Sequence, residues 1–158
     1  MRARVLALAL ATIAALTIFG STGASAQGVP LFAVLNGGNE CDGANPPLCR
    51  QGDLDAYGSA TLIFPNTDPA RVCFGIVADN LVGATAAHIH RGVAGINGGI
   101  VVTLIPPNAP AGGNPGASSG CVVAGAALVA AIKANPTLFY INVHNNAFPD
   151  GAIRGQLF

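Results

Sequence analysis

The chain has no tryptophan, a single methionine and few charges: seven Lys and Arg and seven Asp and Glu, 9% of its 158 residues. So few cations exclude a nucleic-acid binder that works by displacing counterions from phosphates. Low charge combined with 51% hydrophobic residues also excludes a chain that is disordered throughout. Long apolar runs are missing as well. The two longest, Val5–Phe19 and Val122–Ile132, fall short of the about 20 residues that a helix needs to cross a bilayer. What the chain has in abundance is glycine, 21 residues, with 11 prolines among them.

Arg2 and Arg4 precede the first apolar run, and Ala24-Ser25-Ala26 follows it as a small-residue cleavage site. Residues 1–26 therefore read as a secretory signal peptide, and 27–158 as a single mature domain. That domain keeps five Lys and Arg against seven Asp and Glu, a net charge of about −2. It is large enough to build a hydrophobic core without help from a metal. The expected location is secreted, periplasmic or at the cell surface, with no membrane span once the signal is removed.

Four cysteines in an exported chain read as two disulfides with three possible pairings. Cys41 and Cys49 bracket a Gly/Asn/Pro loop that a local bridge would pin. Cys73 and Cys121 would tie distant segments, so the favoured pairing is Cys41–Cys49 with Cys73–Cys121. Thiolate zinc ligation is disfavoured, because the spacing of Cys41 and Cys49 matches no common zinc pattern.

Glycine and proline punctuate the mature chain at intervals suited to short strands joined by turns. Strands are expected over Leu31–Leu35, Ala56–Phe64, Arg71–Ala78, Ala84–Arg91, Ile100–Ile105, Leu138–His144 and Ala152–Phe158. Both faces of Arg71–Ala78 are apolar, which predicts a strand buried on both sides. Pro106–Gly120 reads as loop, and Ala124–Ala134, with Leu128, Val129 and Ile132 at helical spacing, as the one helix. The fold class that follows is mainly β: an antiparallel Greek-key or immunoglobulin-like β-sandwich with about seven strands and one short helix.

The last strands distribute their polar residues in a pattern. Residues two apart share a face of a strand, so Tyr140, Asn142 and His144 point together, as do Arg154 and Gln156, and so do His88 and His90. The Pro149-Asp150-Gly151 turn makes a hairpin of the last two strands, placing Asn142, His144, Arg154 and Gln156 on one polar face. Two readings compete. In one, His88 and His90 chelate a copper or zinc ion and His144 supplies a third nitrogen. In the other, the histidines hydrogen-bond to Asn142, to backbone groups and to turns, and fix loop geometry. The lack of a fourth strong ligand and the nearness of Arg91 and Arg154 weigh toward the second.

Other constellations are thinner. Gly92–Gly99 lacks the Lys-Ser/Thr and the helix of a phosphate loop, so it reads as a long hairpin turn. No Ser-His-Asp arrangement is present. Asp53 and Asp55 read as an exposed loop pair or at most a loose calcium contact. Arg154 could hold an anion, with a salt bridge to Asp150 or Asp79 as the alternative.

Three stretches together resemble one family. Ala87-His88-Ile89-His90-Arg91-Gly92 with Ala94-Gly95-Ile96-Asn97-Gly98 is similar to the central signature of the CHRD (chordin) domain. Phe139-Tyr140-Ile141-Asn142-Val143-His144 and Pro149–Leu157 resemble its C-terminal signature, and Leu35–Glu40 its start. The resemblance covers about Leu31 to Phe158. It implies an extracellular β-sandwich without established enzyme chemistry, as in the chordins that antagonise bone morphogenetic proteins and in many exported bacterial proteins. The cysteine-rich von Willebrand-type modules of the chordins are missing, so growth-factor antagonism does not carry over.

His88-Ile89-His90 is also similar to the His-x-His copper pair of copper/zinc superoxide dismutases, with Arg154 loosely matching their active-site arginine. No loop rich in His and Asp follows His90, so the likeness is one of site geometry and dismutase activity is not implied. The expected function is a non-enzymatic exported binding or structural module for an extracellular protein or glycan. The alternative is a copper- or zinc-binding protein, possible redox chemistry included, using His88, His90 and His144.

Overall fold

The computed structural model describes residues 28, 30–40, 52–108 and 115–158. Residues 1–26, read as a signal peptide, and the expected bridge between Cys41 and Cys49 lie outside the described residues.

Eight strands follow one another: β1 (Leu31–Asn36), β2 (Tyr57–Ile63), β3 (Arg71–Asp79), β4 (Ala84–Arg91), β5 (Ile100–Leu104), β6 (Gly116–Val123), β7 (Phe139–Asn145) and β8 (Ile153–Gln156). One helix, α1 (Ala126–Ala134), connects β6 to β7. All eight strands join one antiparallel sheet in the order β5-β4-β7-β8-β1-β2-β3-β6. The class is mainly β as expected, but the hydrogen bonding describes one continuous sheet where two packed sheets were expected.

That sheet curls until its edges approach. The Ser118 hydroxyl on β6 donates to the carbonyl of Ile105, just past β5, at 2.7 Å, and Asn108 bridges to Ala117. The result is close to a barrel, a shape that removes the exposed edges of an antiparallel sheet. Its interior holds Leu35, Leu62, Val72, Ile76, Ala87, Ile89, Ile141, Val143, Ile153 and Leu157, all essentially inaccessible to solvent.

Two expectations are corrected here. Gly116–Val123 is a strand that overlaps the expected loop Pro106–Gly120, because its Gly, Ser and Ala residues carry no strand preference of their own. Pairing decides it: β6 runs in register along β3 from Arg71↔Val123 to Ala78↔Gly116. The expectation that β3 is buried on both faces also fails. Val72, Phe74 and Ile76 face the core, whereas Val77 is 45% exposed on the outer face. Cys73 lies on that outer face directly opposite Cys121, and the two form a disulfide, so this apolar residue serves as a crosslink.

The helix is two residues shorter at its start than Ala124–Ala134. Gly125 takes a positive φ of 89° at its N-cap, while Ala124 and Gly125 donate their N–H groups to the Ala70 carbonyl. Val129 and Ile132 turn inward, and Lys133 lies over the Phe64 ring at 6.0 Å. Asn135 and Pro136 end the helix as the sequence predicts.

Candidate metal centre

β7 is the only described strand whose every residue is buried. Phe139, Ile141 and Val143 alternate with Tyr140, Asn142 and His144, so its inner face meets the core and its outer face is polar. Register extends the polar face sideways: Ala86↔His144, His88↔Asn142 and His90↔Tyr140 toward β4, and Tyr140↔Gln156 and Asn142↔Arg154 toward β8. Tyr140 stands in the middle of this face.

The Gly-rich segment 92–99 between β4 and β5 folds over this face. Arg154 donates to the carbonyls of Val93 and Ile96, both at 3.0 Å, and to Asn97 Oδ1 at 3.2 Å. Gln156 Nε2 reaches the Gly92, Thr137 and Phe139 carbonyls at 2.7–2.8 Å. Arg154 is 1% exposed, and its guanidinium lies 3.4 Å from the Tyr140 ring centroid. Burial lowers its pKa, an effect opposed by the charges of Tyr140 and Glu40. The expected salt bridges of Arg154 with Asp150 or Asp79 are replaced by these backbone carbonyls. Asp79 instead accepts the Tyr57 hydroxyl at 2.8 Å.

Beside the covered arginine, the three histidines come together. One ligand nitrogen from each of His88, His90 and His144 lies within 4.8 Å of the others, and no other such group of His, Cys, Asp and Glu occurs among the described residues. Asp53 and Asp55 lie outside this cluster; burial, then the hydrogen bond with Asp55, raises the Asp53 pKa.

Carbonyl oxygens fix the orientation of two rings. His90 Nδ1 lies 2.8 Å from the Gly98 carbonyl, and His144 Nδ1 lies 2.9 Å from the Pro149 carbonyl. A carbonyl only accepts, so in each ring Nδ1 carries the proton and Nε2 presents a lone pair. His90 Nε2 is buried without a hydrogen-bond partner; the Asn142 amide is near enough to favour its protonated form but does not meet it in hydrogen-bond geometry. His144 Nε2 lies 3.1 Å from both His88 Nδ1 and Asn142 Oδ1; with its proton on Nδ1 it accepts from His88 Nδ1–H, and the Asn142 amide can donate to it only with its oxygen and nitrogen exchanged, two nearly isosteric groups. Tyr140 stacks on His90, 4.8 Å between centroids and 9° from parallel, and its hydroxyl receives the Gly98 N–H at 3.1 Å.

Desolvation favours the neutral form of all three imidazoles. Burial, followed by the neighbouring charges of His144 and His90, lowers the His88 pKa to about 4. Burial is also the leading cause of the lowered values of His90 and His144. The cluster thus offers neutral, oriented nitrogen lone pairs, the state that a metal requires of imidazole.

The sequence pointed to the three histidines but missed what orients them. The Gly98 and Pro149 carbonyls carry no side-chain signature. Tyr140 gave a signal in its alternation with Asn142 and His144, yet its stacking on His90 depends on the β4–β7 register.

An antiparallel β module with a covered polar face and a disulfide is the class that fold and site define. The chain belongs to the CHRD domain family, whose model matches residues 31–157. No curated protein and no solved structure is significantly similar to it. The family and the Cys73–Cys121 disulfide are compatible with an extracellular location, and no helix among the described residues is long and apolar enough to cross a membrane.

Proposed function

We propose that this protein is an exported metal-binding module that holds one copper or zinc ion on His88, His90 and His144. The observation that carries the reading is the pair of Nδ1–H groups donated to the Gly98 and Pro149 carbonyls. An imidazole ligand needs its second nitrogen held in this way to fix tautomer and ring orientation. The orphaned lone pair of His90 Nε2 supports the same reading, since a buried polar atom without a partner is costly unless something binds it. Metal–nitrogen bonds of about 2.0–2.1 Å bring ligand nitrogens closer than the spread found here, so binding draws the rings together by roughly an ångström.

A second reading retains a non-enzymatic module for an extracellular protein or glycan, with the histidines acting as pegs for loop 92–99. It is favoured by Val93, Ile96 and Ile100, which stand 46%, 47% and 55% exposed on the loop and its exit.

Titration calorimetry and metal analysis of the purified protein with Cu and Zn separate the two. One equivalent of metal in the wild type, weakened at least about tenfold in each of His88→Ala, His90→Ala and His144→Ala with circular dichroism unchanged, is the expected result. A wild type that takes up neither metal stoichiometrically overturns the metal reading and leaves the histidines as pegs.

A further inference from the structure

The site is unusual in what surrounds its nitrogens. Every donor is electrically neutral. The acceptors behind His90 and His144 are backbone carbonyls, where a carboxylate would lend negative charge to the ring. Asn142, 2% exposed, places its Oδ1 3.1 Å from His144 Nε2, a neutral amide oxygen where its isostere aspartate would put an anion. Asn142 is also the cross-strand partner of Arg154, a buried cation stacked on the same Tyr140 ring that packs against His90. Asp150, whose charge acts on His144, is on the exposed turn.

We infer that this site selects monovalent copper over divalent zinc, and that Asn142 is the residue that sets the preference. The inference rests on the metal-binding reading above and names the ion. The Born cost of burying an ion grows with the square of its charge, so a divalent ion here carries about four times the desolvation penalty of a monovalent one. None of the three ligand side chains carries a negative charge to offset it. Zn(II) on three neutral imidazoles keeps a water in its fourth position and regains charge balance when that water ionises to hydroxide or another anion replaces it. At this site such a ligand would have to enter beside His88, the least buried of the three imidazoles. Cu(I) needs no anion and accepts two or three nitrogen donors without a demand for tetrahedral geometry.

The test uses the full protein in three forms: wild type, Asn142→Asp and His88→Asp. Each is titrated anaerobically with Cu(I), kept reduced by ascorbate, against a competing Cu(I) chelator, and separately with Zn(II) against a zinc chelator. The expected wild-type result is one Cu(I) held at least about a hundredfold more tightly than Zn(II). Asn142→Asp should narrow that ratio at least about tenfold, chiefly by tightening Zn(II). His88→Asp, at the half-buried position where an altered side chain is better tolerated, should keep or gain Zn(II) and lose Cu(I). Equal wild-type affinities, or a ratio that neither carboxylate changes, overturn the inference and leave the metal site standing. Binding of neither metal by the wild type overturns the metal reading itself, and this inference with it.

Discussion

His144 Nδ1 lies 2.9 Å from the carbonyl oxygen of Pro149, so the turn that joins β7 to β8 also sets the proton position on the last histidine of the cluster. The geometry is compact: the acceptor lies five positions on, in the turn that follows β7. A ring so held keeps its Nε2 lone pair toward His88 and Asn142 at 3.1 Å each, and the apo protein must keep all three imidazoles uncharged to sustain the arrangement.

That requirement makes stability depend on pH. All three folded pKa values lie below the ordinary 6.5, with His88 lowered to about 4. Above pH 6.5 neither the folded nor the unfolded chain protonates these rings, and their contribution is fully present. As pH falls from 6.5 toward 4 the unfolded chain takes up protons that the folded chain refuses, so stability is lost across that window. The urea midpoint of the metal-free protein should drop between about pH 7 and about pH 5, and His88→Gln should flatten the slope. An unchanged wild-type midpoint would show that the rings charge as freely in the fold as outside it.

Arg154 anchors the cover of the site. Its guanidinium satisfies the Val93 and Ile96 carbonyls and the Asn97 side chain, and Arg154→Met would leave those acceptors beneath an apolar side chain. The expected cost is about 3 kcal/mol or more in chemical denaturation, since hydrogen bonds from a charged donor are worth roughly 1.5–3 kcal/mol each. Amide exchange of residues 92–99 should rise more than that of β2 and β3. Uniform acceleration across the sheet would contradict a local anchoring role.

The Cys73–Cys121 bridge closes a separation of 48 residues between neighbouring strands. Loop-closure entropy gives such a crosslink about 4 kcal/mol. A Cys73→Ser/Cys121→Ser double variant should lose roughly 2–4 kcal/mol in urea while binding metal as the wild type does. Because both cysteines stand on the outer face of the β3–β6 pair, and neither of those strands pairs with β4 or β7, a large change in metal affinity would be unexpected.

Much of this was legible in the sequence, and the failures have physical causes. Alternation placed Ala84–Arg91 as a strand with the bounds observed, and it assigned Asn142 and His144 to one face because period-2 patterning is local. Strand β6 was hidden, since Gly116, Ser118 and Ser119 become a strand only through the partner β3 provides. The outer face of β3 misled for a related reason: Val77 looks like a core residue yet is exposed, whereas the bridge expected between Cys73 and Cys121 on the same face is formed. For Arg154 the residues alone suggest a bound anion or a salt bridge to Asp150 or Asp79. Its partners are carbonyls of a loop more than fifty residues away in sequence, and main-chain acceptors leave no trace in residue identity.

Gly98 ties the cover to the cluster. Its carbonyl holds His90 Nδ1 at 2.8 Å and its N–H is received by the Tyr140 hydroxyl at 3.1 Å. A Cβ added at this position would fall on the Arg91 carbonyl, a main-chain atom that cannot swing aside, so Gly98→Ala must push the loop outward. The His90 ring then loses the acceptor that fixes its tautomer, and Nε2 is no longer guaranteed as the lone pair. Metal affinity should fall about 10–100-fold, the usual consequence of removing the group behind an imidazole ligand. Gly99→Ala serves as the control, because a Cβ there meets nothing within 4 Å, and it should leave affinity unchanged. Nitrogen chemical shifts of His90 in the apo protein read the tautomer directly: a single Nδ1–H form in the wild type and in Gly99→Ala, and a mixture in Gly98→Ala. Should Gly98→Ala keep both the pure tautomer and the full affinity, the ring must be oriented by its stack on Tyr140, and the role assigned to the loop carbonyl would be wrong.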